Sequence, residues 1–106
     1  MEIIRTKAEL LKDSITYGEK SIVSRQLIKS PAGNITLFAF DEGEGLSEHS
    51  APYDAFVQVL EGEAEITIGG ISYRVKEGEF IIMPANIPHA VKANGRFKMM
   101  LVMIRG

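Results

Sequence analysis

Cysteine is absent from this chain of 106 residues. That excludes a disulfide framework, a thiolate nucleophile and a zinc–thiolate site, and it fits a reducing compartment. A charge excess of one sign is missing as well. Twelve Lys and Arg stand against 14 Asp and Glu, for a formal net charge of −2. With no basic block to neutralise phosphates, nucleic acid is not expected as a partner. Long apolar runs are lacking: the longest, Met99 to Ile104, is far too short for a membrane span, so no membrane partner is expected either. The opening stretch MEIIRTKAELLKDS has no apolar signal-peptide core, and the expected location is the cytoplasm. Asn34-Ile35-Thr36 matches a glycosylation sequon, which reads as chance without a secretion signal.

What is present is ordinary globular composition, 45% hydrophobic and 25% charged. This excludes disorder, collagen and coiled coil, and the length implies one domain. Thr6-Lys7-Ala8-Glu9 forms a capping box, in which the Thr hydroxyl and the Glu carboxylate satisfy each other's backbone N–H groups. It predicts a short helix over about residues 6–12. Nothing later sustains a helical period. From Ser21 onward, short apolar or alternating runs are separated by turn residues: Pro31-Ala32-Gly33-Asn34, Glu42-Gly43-Glu44-Gly45, Gly69-Gly70, Lys76-Glu77-Gly78-Glu79 and Asn94-Gly95. The Gly69-Gly70 pair predicts a two-residue hairpin, and Pro84 should stop the strand before it. Eight or nine short strands at roughly 8–12-residue spacing argue for an all-β sandwich or barrel, and the jelly roll fits that count. The organisation expected is an N-terminal extension with a short helix over residues 1–20, then a single β-barrel domain over residues 21–106.

The two histidines, His49 and His89, fall beside turns at strand edges, His49 before a strand and His89 opening one. In a small barrel such positions form the mouth, where ligand sites are built. Around them the sequence resembles the cupin superfamily. Its first motif runs Gly, five residues, His-x-His, three or four residues, Glu, six residues, Gly. This chain has Gly43, five residues, His49-Ser50-Ala51, three residues, Ala55, six residues, Gly62. The second motif runs Gly, five residues, Pro-x-Gly, two residues, His, three residues, Asn. This chain has Gly78, five residues, Pro84-Ala85-Asn86, two residues, His89, three residues, Ala93. The resemblance covers about residues 35–104 and implies a double-stranded β-helix, the jelly-roll cupin barrel, usually assembled as a homodimer. It also implies a divalent metal (Fe, Mn, Ni or Zn) held by three His and one Glu. Only His49 and His89 match that set, because Ala51 and Ala55 stand at the other two positions. A methyl group has no electron pair to give, and a firm two-histidine site needs a third ligand, commonly a carboxylate.

Several residues are candidates to line or complete the site. Asp54 is one residue from the missing Glu and in a regular strand would face the other way. A β-bulge at Pro52–Asp54 could turn it inward, whereas Asp also caps turns through nearby backbone. Gln58 is the polar residue of an apolar strand; alternation puts it opposite Ala55, Val57 and Val59, at a subunit contact. Glu48 adjoins His49 and should point away from it. Tyr53 could close the mouth and offer a phenol. Tyr53, Asp54 and Gln58 are thus the candidate ligand-pocket residues, and His49 and His89 the candidate metal ligands. Met99, Met100 and Met103 read as core or interface filling. Nucleophile elbow, P-loop and zinc-protease motifs are absent. Two functions compete. One is a module that binds a small polar molecule in the barrel, as a sensor or accessory protein with a reduced metal site. The other is a divalent-metal enzyme, an isomerase, lyase or dioxygenase, acting on a small sugar-like or acidic substrate.

Overall fold

The computed structural model describes residues 6–105. Nine strands fill most of that span: β1 (Ile22–Ser30), β2 (Gly33–Phe40), β3 (Gly45–His49), β4 (Asp54–Glu61), β5 (Glu63–Ile68), β6 (Ile71–Lys76), β7 (Phe80–Met83), β8 (His89–Ala93) and β9 (Phe97–Ile104). Every pair is antiparallel. They form a five-stranded sheet in the order β1-β2-β9-β4-β7 and a four-stranded sheet in the order β3-β8-β5-β6. Because the chain passes repeatedly from one sheet to the other, the sheets close over a common interior as a jelly roll.

Alternation builds that interior. Ala55, Val57 and Val59 of β4 are 4% exposed or less; Met83 and Met99 turn the same way in register with them, and Ala64, Ile66, Val91 and Ala93, paired in the other sheet, face them across the interior. Phe40 and Phe97 stack near-parallel at 4.5 Å between ring centroids. Burying each such large side chain contributes about 1.5–3 kcal/mol, and this one cluster is the main core. The β5–β6 hairpin turns on Gly69 and Gly70, with φ of 57° and 83°. Both positions need the left-handed region that a glycine pair adopts without strain.

Two local expectations change. The helix expected over residues 6–12 is a single 3-10 turn over Leu11–Asp13, whose N-cap, Leu10, makes no side-chain capping bond. A helix this short needs an apolar face to bury, and Leu10 and Leu11 remain 66% and 36% exposed. The residue that docks is Ile15, which covers Leu37 and Ala39 on the outer face of the five-stranded sheet. The second is at His49, which precedes β4 but also ends a strand of its own, β3. β3 is a polar edge strand with one half-buried residue, Leu46, so its sequence shows no alternation to read.

Candidate functional site

The mouth of the barrel is built by two loops that join the sheets at one end. Residues 50–53 carry the chain from His49 to β4, and residues 84–88 carry it from Met83 to His89. The loops are tied together: the Asn86 N–H donates to the Ala51 carbonyl at 2.7 Å, and the Ala85 N–H donates to Asp54 Oδ1 at 2.8 Å. Asn86 takes a φ of 67°. It stands where the second motif has glycine, and asparagine is among the few other residues that tolerate this left-handed conformation. It was not among the candidates from the sequence; its place at the motif's glycine position, between Pro84 and Pro88, is the signal that could have found it.

His89, His49 and their neighbours owe their positions to register. In β8, His89, Val91 and Ala93 are all buried and face the interior. Leu46 pairs with Val91, and His49 pairs with His89. Between these pairs β3 spends three steps against two in β8, which is one extra residue, a β-bulge. Regular alternation from Leu46 would have sent Glu48 inward. The extra residue shifts the parity, and His49 meets His89 instead. The rings stand edge to face with centroids 4.5 Å apart.

Each imidazole is oriented by the carbonyl two residues before it. His49 Nδ1 lies 2.7 Å from the Ser47 carbonyl and His89 Nδ1 lies 3.3 Å from that of Ile87. A carbonyl only accepts, so Nδ1 is the protonated nitrogen and Nε2 carries the lone pair on each neutral ring. His89 is 6% exposed. Burial lowers its pKa from the ordinary 6.5, and the adjacent His49 lowers it further, against an opposing contribution from the Ile87 carbonyl. His89 therefore stays neutral into mildly acidic solution. The pair offers two nitrogen lone pairs above an interior of Phe38, Leu46, Val57, Ile68 and Ile81.

The other candidates divide between rim and outer surface. Asp54 sits at the rim with its Oδ1 taken by the Ala85 N–H. Tyr53 is half-buried there, with the Arg105 guanidinium 5.5 Å from its ring centroid. Gln58 lies on the outer face of the five-stranded sheet, paired with Phe80 and Met100, and its Nε2 donates to the Gly78 carbonyl at 3.3 Å. Phe80, Ile82 and Ile104 lie on that same face and are 61%, 46% and 59% exposed. Among the described residues no three His, Cys, Asp or Glu stand together as a metal-holding group. The three-His, one-Glu set for a divalent metal therefore does not fit these residues. No helix among the described residues is long and apolar enough to cross a membrane.

The comparisons agree with this architecture. A family model described as a cupin domain matches residues 36–105. No curated protein matches the chain. A solved structure of a conserved protein of unknown function from Streptococcus pyogenes is 40% identical with a TM-score of 0.91, covering 95% of this chain and 89% of its own. A cupin superfamily protein from Desulfitobacterium hafniense is 30% identical with a TM-score of 0.90, covering 95% of this chain and 93% of its own. A cupin 2 conserved barrel domain protein from Leptotrichia buccalis is 41% identical with a TM-score of 0.86; the match covers 89% of this chain and 46% of that longer protein.

Proposed function

Since the chain belongs to the cupin superfamily, we propose that it binds a small polar molecule at the mouth of its barrel, received by His49 and His89, and serves as a sensor or accessory module. The observation that carries this reading is the histidine pair itself. Two imidazoles with backbone-fixed tautomers face each other at 4.5 Å, each with an Nε2 lone pair able to accept from a ligand hydroxyl or amide. Most of the interior below them is apolar. On this reading the ligand sets its polar group at the pair and its carbon skeleton toward the apolar side, the usual division of labour in a small-molecule site. The loss of the carboxylate and the second histidine of the first motif removes the ligands for a catalytic divalent ion and keeps the pocket.

The test is a thermal-shift screen of small hydroxylated and acidic compounds on metal-chelated protein, in parallel with a His89→Ala variant. At a concentration about 100 times its Kd, a ligand should stabilise the native protein by about 2.7 kcal/mol and leave the variant unshifted. Compounds that shift both proteins equally, or a library that shifts neither, would overturn the reading.

A further inference from the structure

The place of the missing carboxylate is bordered by sulfur. Ala55 pairs with Met83 on one side and with Met103 on the other. Direct cross-strand partners point to the same face of a sheet, so all three turn toward the interior, at the end of the five-stranded sheet that adjoins the mouth. Connectivity fixes that end: Met83 is followed by the loop that leads to His89, and Ala55 comes just after the loop that leaves His49. Met83 is 4% exposed and Met103 is half-buried. Packing alone accounts for Met99, deep in the core at 1% exposure. Met83 belongs to the same core cluster, and with Met103 it sets two thioethers on either side of one alanine, on the sheet opposite the one that carries the two imidazoles.

We propose that His49 and His89 on one sheet, facing Met83 and Met103 on the other, form a site for a soft monovalent metal ion, Cu(I). This rests on the reading above that His49 and His89 receive what enters the mouth. Two physical arguments select the ion. Thioether sulfur is a soft donor suited to Cu(I) and poorly suited to Fe(II), Mn(II) or other hard ions, while imidazole serves copper as well. The donor set is also neutral. No carboxylate joins it among the described residues, and Asp54, exposed at the rim and one residue out of phase with Ala55, accepts the Ala85 N–H at Oδ1. The cost of moving an ion out of water rises with the square of its charge, so a single charge is far cheaper than a double one where the walls are apolar and no anion compensates. The substitution of Glu by Ala55 that removes a divalent ion from the mouth is the one that admits this ion.

The experiment is an anaerobic titration of the full chain with Cu(I) held by bicinchoninate, a coloured competitor. The native protein is expected to withdraw Cu(I) up to one equivalent per chain. A Met83→Leu, Met103→Leu double variant, a volume-conserving change that cores tolerate, is expected to bind Cu(I) about tenfold or more weakly with an unchanged melting temperature in the metal-free state. Sulfur scattering in the copper X-ray absorption spectrum of the native protein should be lost in that variant. The proposal fails if the native protein leaves all Cu(I) on the competitor, if the folded double variant binds as tightly as native, or if equimolar Zn(II) displaces the copper. Ligand-induced thermal shifts in chelated protein report the small-molecule reading independently, so either proposal can fail while the other stands.

Discussion

β4 ends in a different kind of polar cluster at each side of the barrel. At its far end, the Tyr17 hydroxyl donates to Glu61, and the buried Lys98 ammonium lies 3.8 Å from the same carboxylate and donates to the Lys12 carbonyl. The Tyr17 ring lies within 5.0 Å of the Arg96 guanidinium and 5.1 Å of the Lys98 ammonium. Arg96 in turn donates to Asp41 at 2.7 Å, and the Lys20 N–H donates to the other Asp41 oxygen at 2.6 Å. Every charged member has a partner within the chain. At the near end, the two imidazoles each spend one nitrogen on a carbonyl and keep a lone pair on the other, and the acid that could have claimed them is an alanine. Buried polar groups cost free energy unless satisfied. The closed cluster satisfies itself and holds the N-terminal segment against the sheet. In the open cluster no side-chain nitrogen is both buried and unpartnered among the described residues, so its free lone pairs face solvent beside the exposed His49.

The sharpest way to break that contrast is Tyr17→Ala. It removes the shared ring, a hydrogen bond and part of the packing over Leu37 and Ala39. A fully buried aromatic truncated to alanine costs about 3–5 kcal/mol; for this half-buried one about 2–3 kcal/mol is expected, read as a lower urea midpoint with little change in slope. Cu(I) affinity and ligand-induced thermal shifts at the mouth should stay at native values. A loss of both together would show that the two ends of β4 are coupled and that the closed cluster is more than an anchor.

How much of this was legible beforehand follows from what each feature writes into the sequence. Apolar alternation and glycine or proline turns are local, so the jelly roll, the Gly69-Gly70 hairpin and the stop at Pro84 could be read directly. The histidine pairing was legible only as a motif, because the device that achieves it is a bulge in a strand of Gly, Leu, Ser, Glu and His with no periodic signal. The closed cluster was not legible at all. Lys12, Tyr17, Asp41, Glu61, Arg96 and Lys98 are scattered along the chain; the register of β4 and β9 sets Glu61 against Lys98, and the docking of Ile15 and Tyr17 adds the N-terminal members. The capping box at Thr6 placed the helix too early for the complementary reason: it reports local preference, and the segment turns only over Leu11–Asp13, just before Ile15 meets the sheet.

Acid titration separates the two clusters by pH, and metal-free protein should show the step at the mouth first. Because the folded pKa of His89 lies below 6.5, the unfolded chain takes up a proton before the native one does. Stability is therefore complete above about pH 6.5, falls as pH drops below it, and levels once native His89 is also protonated. Urea midpoints measured from pH 8 to pH 5 should show this fall, and His89→Gln should flatten it.

The smallest effect belongs to Asp41. Its hydrogen bonds to Arg96, Lys20 and Glu42 hold the carboxyl at about 2, against an ordinary value of 3.8. The sign is again loss toward acid, with stability present above about pH 4 and lost as pH falls toward 2. The contribution is reduced by solvent screening at this exposed pair. Asp41→Asn should leave the neutral-pH midpoint close to native and shallow the acid limb below pH 4, with no change between pH 5 and pH 7, where only the mouth titrates. A variant that instead altered the step below pH 6.5 would mean that the anchor's charge reaches His89 along β4, and the division between a closed end and an open end would have to be given up.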